Sequence, residues 1–353
     1  MVTLQFSDEI QSAVFSIIAA ILHLGNIDFL PGSQDSSSRI SPGSNQELAL
    51  VSSLLGVSVD SLSYCLTQKT VQMGKGSLVA MKLDVAQAID GRDTLSKALY
   101  SNLFDWVIKK VNENLSSQVA APYAIGILDI FGFEVFELNS FEQLCINYSN
   151  EKLQLHFNTV VFESEMIMYR EEEVSTDKVD YKDNSQCVAL IEGKPYGLIS
   201  LLEEECSLGN ATDTSYANKI EATFGKGKKN ENSYFVRNKT KPEFFAVHHF
   251  AGAVEYNVKN FLDKNRDTLS QSTRDTMSGS TINLIKSLFE LPPSAKGSKK
   301  GSKSTLGGQF RNQLVGLVTG LKTQEAHFIR CVKPNMAKKP GIFESPLTLR
   351  QLR

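Results

Sequence analysis

A nearly continuous apolar run that ends in an aspartate is the part of the sequence best suited to chemistry. This run, YAIGILDIFGFE, spans Tyr123 to Glu134 and breaks at Asp129. Without alternation of polar residues, it predicts a strand buried on both faces. A carboxylate at the end of such a strand can meet a hydrated Mg²⁺, and the bare amide of Gly132 can approach a terminal phosphate. Buried strands also end in aspartate at ordinary turns, so both interpretations stay open for this stretch alone.

The cysteines offer no competing chemistry. They are widely spaced, with no CxxC pair and no histidine at the spacing of a zinc site. This pattern predicts reduced, intracellular thiols. The five are Cys65, Cys145, Cys187, Cys206 and Cys331.

Composition limits the class of protein. With 353 residues, 41% of them hydrophobic and 22% charged, the chain is expected to fold as one large or two smaller globular domains. The 37 Lys and Arg against 39 Asp and Glu give a net charge of −2, which excludes a chain-wide electrostatic clamp for nucleic acid. The first residues lack the pattern of a signal peptide, and the apolar stretch Ala13–Leu24 is too short for a membrane span.

The elements that must position the aspartate are long helices and isolated strands. Helical periodicity and capping residues predict three long helices and a pair of short ones, and alternation predicts two strand regions. We therefore expect an α/β fold built in layers. The predicted helices are Asp8–Leu24, Val85–Leu115, Ser140–Arg170, Gly193–Cys206 and Ala211–Phe224, and the strand regions are Phe244–Val258 and His327–Val332.

The run that continues from Asp129 to Phe157, DIFGFEVFELNSFEQLCINYSNEKLQLHF, resembles the switch II and relay helix of myosin motor domains. Further blocks lie before and after this run, in the family's order. Residues 13–29 are similar to a helix of the upper 50-kDa subdomain, 91–112 to the helix before switch II, and 248–267 and 327–335 to transducer strands. The resemblance covers nearly the whole chain. It implies a partial P-loop NTPase-like motor core, with a mixed central sheet flanked by long helices.

The same resemblance implies an order of segments along residues 1–353. They are an upper 50-kDa portion (1–122), switch II with the relay helix and relay loop (123–185), a lower 50-kDa portion with a helix-loop-helix and transducer strands (186–290), loop 2 (291–308), and a helix, strand and start of the reactive-thiol region (309–353).

The resemblance also assigns roles at a site for ATP and Mg²⁺. Asp129 would lie near Mg²⁺ through water, Gly132 would donate its amide to the γ-phosphate, and Glu134 would pair with an arginine of switch I. These three are the expected catalytic residues. Without the resemblance, a solvated turn carboxylate is the preferred interpretation of Glu134. Phe131 and Phe133 are expected to pack the turn against the helix behind it, and the whole nucleotide-binding segment is Asp129, Ile130, Phe131, Gly132, Phe133 and Glu134.

Parts of a complete motor are not found in the sequence. No GxxxxGK[ST] phosphate loop occurs, and DSSSRI at 35–40 lies on the wrong side of HLGNI to be switch I. The sequence stops at LTLRQLR, where the family's reactive-thiol helices begin, so the converter and lever arm are also missing. We expect the central part of a motor that does not hydrolyse ATP alone.

Actin is the partner that the resemblance implies, and three segments could meet it. The helix-loop-helix at 195–220 would dock through its apolar tip, although it could equally be two core-packed helices. The stretch 291–324 has no acidic residue, and it aligns with basic loop 2 or is a solvated linker. The helix that follows loop 2, at the start of the segment Leu314–Met336, would also contact actin, whereas HFIRCV is expected in the core. The expected contacts are Pro195, Leu198, Ile199, Leu202, Leu208, Lys296, Lys299, Lys300, Lys303, Leu314, Val315, Leu317, Val318, Leu321 and Lys322.

A weaker segment at 70–84 corresponds to a loop of the upper subdomain, where Lys75 and Lys82 would touch actin. Ser77 stands 16 residues before Asp93, a spacing that in this family marks a regulatory site, so it is either phosphorylatable or an ordinary loop serine. Thr176 occupies the position of a common relay-loop tryptophan, which implies a rebuilt converter contact or a divergent class.

The sequence thus predicts part of a cytoplasmic motor of the actin cytoskeleton that couples ATP binding and hydrolysis to movement along filaments. Its partners would be actin, the rest of the motor, and a lever arm with light chains, without nucleic acid or a membrane span. The alternative is a truncated actin-binding module without ATPase activity.

Overall fold

A computed structural model describes residues 1–33, 37–73, 77–116, 123, 125–175, 182–208, 211–238, 240–266, 269–290, 305–329 and 331–352. The α-helices within these ranges are α1 (Asp8–Leu24), α2 (Asn45–Leu55), α3 (Val59–Thr67), α4 (Val85–Leu115), α5 (Phe141–Phe157), α6 (Ser164–Glu171), α7 (Ser185–Glu192), α8 (Leu198–Ser207), α9 (Asp213–Phe224), α10 (Phe261–Asn265), α11 (Gln271–Ser278), α12 (Asn283–Phe289), α13 (Leu306–Leu321) and α14 (Ser345–Leu352).

The strands of the described residues form three small antiparallel sheets. Two are hairpins and the third has three strands, in the order β5-β6-β7. The strands are β1 (Phe29–Pro31), β2 (Ser38–Ile40), β3 (Gln68–Met73), β4 (Ser77–Lys82), β5 (Phe235–Arg237), β6 (Phe244–His249) and β7 (Gly252–Asn257).

The chain forms two compact units, one of Met1–Leu128 with Arg266–Thr305 and one of Asp129–Asn265 with Leu306–Arg353. Helices α1 to α4, α11 and α12 build the core of the first unit. The stripe of Leu95, Leu99 and Leu103 on α4 lies in this core, at the spacing of one helical face. Helix α2 ends at Gly56, whose φ of +62° suits glycine, and Thr281 donates its amide to the Gly56 carbonyl.

The second unit packs α5, α7, α8, α9, α10 and α13 around the three-stranded sheet. Helix α5 contributes Phe141, Leu144 and Tyr148, all buried, as its periodicity predicts. On the sheet, Phe245 of β6 lies directly across from Tyr256 of β7, and their rings stack with centroids 5.5 Å apart. The core of this unit therefore joins one face of α5 to the sheet.

Two of the predicted long helices are confirmed at both ends. Helix α1 begins after Ser7, whose hydroxyl accepts the Ile10 amide, and α4 begins after Asp84, whose carboxylate forms a capping box with Gln87. The two short helices are also confirmed, although the first begins at Leu198 rather than Gly193.

The third long helix, predicted as continuous from Ser140 to Arg170, is interrupted. A π-helical stretch, Asn158–Glu163, separates α5 from α6. The buried Asn158 side chain accepts a hydrogen bond from Gln154 Nε2 and donates one to Asn184 Oδ1, at 2.9 and 3.3 Å. Side-chain bonding of this kind holds the wider turn, and π segments are frequent at functional sites.

Two strand predictions are wrong. Within the described part of 123–134 no strand forms, and Ile125 and Ile127 are 97% and 93% exposed. A doubly buried strand needs hydrogen-bonded neighbours on both edges, and no described strand pairs with this stretch. The described part of His327–Val332 is likewise irregular and exposed rather than in the core. The rings of Phe328 and Phe157 are nevertheless in contact, with their centroids 4.9 Å apart.

No single helix among the described residues is both long and apolar enough to cross a membrane. The bent pair Pro42–Leu55 and Val59–Thr67 meets the length and composition test only when its two members are taken together.

The cysteine environments predict a pattern of thiol reactivity. Burial raises the pKa of Cys65 to about 12 and that of Cys145 to about 12, whereas Cys331 is exposed. Only the thiolate reacts with an alkylating reagent, and at pH 8 a thiol with that pKa is ionised in about one molecule in ten thousand. Mass spectrometry after brief alkylation of the folded protein should find label on Cys331 but not on Cys65 or Cys145. Equal labelling of all three before denaturant is added would contradict these environments.

Candidate functional site

The turn after Asp129 is held against the first half of α5 by asparagine side chains. The Asn147 amide binds both backbone groups of Glu134: its Oδ1 accepts the Glu134 N–H, and its Nδ2 donates to the Glu134 carbonyl, each at 2.8 Å. One turn further along α5, Asn150 Nδ2 donates to the Phe131 carbonyl at 3.0 Å. Residues three apart share one helix face, so both asparagines point at the same segment.

A third asparagine, Asn139, fastens the end of this segment to the sheet. Its Oδ1 accepts the Phe136 N–H at 2.8 Å, and its Nδ2 donates to the carbonyls of Phe136 and Glu255, each at 3.0 Å. The Asn139 carbonyl also accepts the Asn257 N–H at 2.9 Å. The segment thus has a fixed course without belonging to a helix or strand.

The two phenylalanines of the turn have different environments. Phe133 packs on the core of the second unit, with its ring edge-to-face against His249 at 5.3 Å and Phe250 at 5.8 Å. Phe131 is 75% exposed, so the prediction that its ring packs the turn against the helix is wrong. What joins Phe131 to the helix is its carbonyl group, which Asn150 holds.

The groups expected to meet a nucleotide lie on the open side of the turn. Asp129, Ile130 and Gly132 are exposed, and a Cβ built on Gly132 would meet nothing within 4 Å. Glu134 is half-buried, and its Oε2 accepts a hydrogen bond from Gln143 Nε2 at 3.4 Å. One free carboxylate beside an uncrowded glycine fits a hydrated Mg²⁺ and a phosphate, because Mg²⁺ in such sites uses one or two carboxylates plus substrate oxygens.

A second group of potential ligands is fully buried behind the turn. Atoms of Glu151, Cys187 and His249 lie within 4.8 Å of one another, close enough for a metal ion. Their hydrogen bonds are already made, however: Glu151 accepts from His249 Nδ1 at 2.8 Å, from the Phe250 amide at 3.2 Å and from Asn184 at 2.7 Å. Burial, then the negative charge of Glu151, raises the pKa of Cys187, and a neutral thiol is a poor ligand. The cluster is a hydrogen-bond network of the core.

The helix-loop-helix corrects part of the predicted partner surface. Leu198, Ile199 and Leu202 on α8 are buried in the core of the second unit, so they cannot contact a partner. They follow the apolar periodicity of a helix, which marks a buried face as readily as a docking face. Pro195 and Leu208, at the two ends of α8, are exposed.

The predicted actin contacts on helix α13 lie on two different faces, one buried and one exposed. Leu314 and Val318 are buried against the core, so their assignment to a partner surface is also wrong. Val315 and Leu317 are 42% and 39% exposed, and Lys322 just beyond the helix is exposed too, with Leu321 half-buried. Arg311 is one of the basic residues of 291–324 that were expected to attract actin, but its side chain is buried on the inner face of α13. Its guanidinium donates to Ser200 and Glu203 of α8 at 2.9 and 2.8 Å.

Ser77 lies at the start of β4 rather than in a loop, with its backbone paired to Met73 of β3. Lys82 is the last residue of the same strand and is exposed. The remaining predicted positions lie outside the described residues: Lys75, Thr176, Lys296, Lys299, Lys300 and Lys303.

The mostly exposed turn at Asp129–Glu134 is fastened through its backbone to α5. The model of the family described as myosin head (motor domain) matches residues 1–353, and the chain belongs to this family. It is 40% identical to Myosin-6 of Arabidopsis thaliana over 348 residues, 98% of this chain and 23% of that protein. It is 38% identical to the Myosin-I heavy chain of Dictyostelium discoideum over 359 residues, all of this chain and 15% of that protein. The chain thus spans less than a quarter of either relative.

Proposed function

We propose that this chain is the central part of an actin-based motor, in which ATP binding and hydrolysis drive movement along filaments. The observation that carries the proposal is the pair of asparagines, Asn147 and Asn150, that fastens the turn at Asp129–Glu134 to α5. A ligand that displaced the turn would displace the helix with it.

The proposed chemistry follows from what each residue of the turn can donate or accept. The exposed Asp129 carboxylate would hold water on Mg²⁺, which neutralises charge on the phosphates when it is bound. The Gly132 N–H would donate to the terminal phosphate, where no side chain obstructs its approach. Glu134 would pair with a switch I arginine and so exclude bulk water from the attacking side.

The proposal includes a P-loop NTPase-like core with a mixed central sheet. The exposed apolar residues Ile125 and Ile127 support it, because apolar side chains in such number are normally covered by another part of the protein. The greater length of the relatives also supports it, since further chain can supply that cover. The lever arm and light chains, the cytoplasmic location and the order of segments predicted from the sequence belong to the same proposal.

We place the actin interface on what remains of the predicted surface after correction. The exposed candidates are Pro195, Leu208, Val315, Leu317 and Lys322, beside the half-buried Leu321. To these the proposal adds Lys75, Lys82 and the four lysines of loop 2. Ser77, which lies between Lys75 and Lys82 in the sequence, is the proposed phosphorylation site. Phosphate there would add about −1.5 to −2 charges and change the attraction to actin.

Glu134 provides the first test. In a complete motor domain that contains this sequence, Glu134→Ala should leave ATP binding intact and slow hydrolysis about a hundredfold, since it removes one electrostatic contact of the closed site. Quenched-flow measurement of the phosphate burst separates the two steps. Glu137→Ala, an exposed carboxylate three residues on, is the matched control and should behave as the unmodified motor. A normal burst in Glu134→Ala would refute the assignment.

The two faces of α13 provide the second test. Val315→Ala with Leu317→Ala should weaken actin binding about tenfold without lowering the melting temperature, because both side chains are partly exposed. Leu314→Ala should instead cost roughly 2–5 kcal/mol of stability through the cavity that it leaves in the core. Cosedimentation with actin and thermal unfolding distinguish these effects. Unchanged affinity in the double variant would remove α13 from the interface.

The basic stretch provides the third test. Replacing Lys296, Lys299, Lys300 and Lys303 by Ala should flatten the salt dependence of actin binding, since exposed charges act over a Debye length of about 10 Å at 0.1 M salt. Actin affinity is measured against ionic strength, with and without nucleotide. A charge-matched control replaces four exposed lysines elsewhere: Lys97, Lys109, Lys259 and Lys286. Equal slopes for the two variants would mean that loop 2 is only a solvated linker.

A further inference from the structure

The Tyr256 hydroxyl is the point where the sheet meets the helix that holds the turn. Tyr256 lies on β7 and is fully buried. Its oxygen is 2.8 Å from His249 Nε2 at the end of β6 and 2.9 Å from Asn147 Nδ2 on α5. One buried phenol group therefore connects both strands of the hairpin to the asparagine that binds Glu134.

The donors and acceptors of this network fit a single direction. A carboxylate only accepts, so His249 Nδ1 donates to Glu151 Oε2, which is 2.8 Å away. In the neutral imidazole, Nε2 is then an acceptor and receives the Tyr256 O–H. The phenol oxygen in turn accepts one N–H of Asn147.

The direction of these bonds fixes the Asn147 amide. An amide offers two N–H donors and one carbonyl. One N–H goes to Tyr256 and the other to the Glu134 carbonyl, so Oδ1 is left to face the Glu134 N–H. If the Tyr256 oxygen were absent, one N–H of Asn147 would lose its partner in the core. An amide that turned toward a new partner would lose its bonds to Glu134.

We propose that Tyr256, oriented by His249 and Glu151, is a positioning residue for Glu134. It acts through Asn147 and sets where the Glu134 carboxylate stands when the site closes. This inference rests on the proposed role of Glu134 in hydrolysis, and it adds residues of the sheet to a site that the sequence placed on the turn alone.

The environment keeps the phenol a donor. Burial raises the pKa of Tyr256, with smaller effects of Cys187 and Glu151 in the same direction and of its bond with Asn147 in the opposite one. The Cys187 thiol, 4.0 Å from His249 Nδ1, is also held neutral by burial. The hydroxyl therefore remains protonated at neutral pH.

Tyr256→Phe tests the proposal in a complete motor domain that contains this sequence. The ring and its stacking on Phe245 remain, and only the hydroxyl is lost. We expect an unchanged rate of ATP binding and hydrolysis slowed about tenfold, less than the roughly hundredfold loss that a misplacement of about 1 Å can cause. Stopped flow measures binding and quenched flow measures hydrolysis. Asn147→Asp is the second variant, since it lacks the N–H that donates to Tyr256, and it should slow hydrolysis at least as much.

Tyr216→Phe is the matched control. Tyr216 is equally buried in the same core, and its hydroxyl donates to the Leu198 carbonyl at 3.1 Å, away from the turn. It should lower the melting temperature as Tyr256→Phe does and leave hydrolysis unchanged. Two results would overturn this proposal: normal hydrolysis in Tyr256→Phe, or hydrolysis that is equally slow in both tyrosine variants. If Glu134→Ala is still defective in the same experiment, the proposed function itself stands. Normal hydrolysis in Glu134→Ala overturns the proposed function, and this inference with it.

Discussion

The double hydrogen bond between the Asn147 amide and the backbone of Glu134 is the interaction on which the site depends. An irregular segment has no helix or sheet to satisfy its backbone groups, so each polar group needs water or a side chain. Asn147 is fully buried and supplies one donor and one acceptor to the same residue. The turn is thereby ordered by a helix rather than by its own conformation.

Because the Asn147 side chain is buried, its hydrogen bonds to Glu134 depend on the other core residues that it contacts. Asn147 is hydrogen-bonded to Tyr256, Tyr256 to His249, and His249 to Glu151. Glu151 lies on α5, one turn beyond Asn147. The network thus begins and ends on the same helix and passes through the sheet. Losing one member would leave its neighbours unpaired, at about 1–3 kcal/mol for each buried group.

The sequence predicts correctly those helices and strands that are marked by neighbouring residues alone. Periodicity and capping residues place α1 and α4 at their observed ends, and the alternation at 244–258 forms a hairpin. The strand at 123–134 failed because a strand depends on neighbours that the described chain does not supply. On α8 and α13, Leu198 and Leu314 carry the apolar pattern predicted for docking, yet they pack inward. One sequence cannot tell a face that binds a partner from one that binds the core.

The candidate site is predicted in part by its sequence motif, and in part it is visible only in the structure. The positions of Asp129 and Glu134 follow from the run that carries them, whereas nothing local marks Asn147 among the polar residues of α5. Hydrogen exchange resolved at the Glu134 amide tests this account most directly, in a motor domain that contains the sequence. We predict slow exchange that becomes fast in Asn147→Leu, with the amides of α9 unchanged. If the Glu134 amide exchanges as fast as that of exposed Ile130 before any substitution, the turn is not held by the helix and the account is wrong.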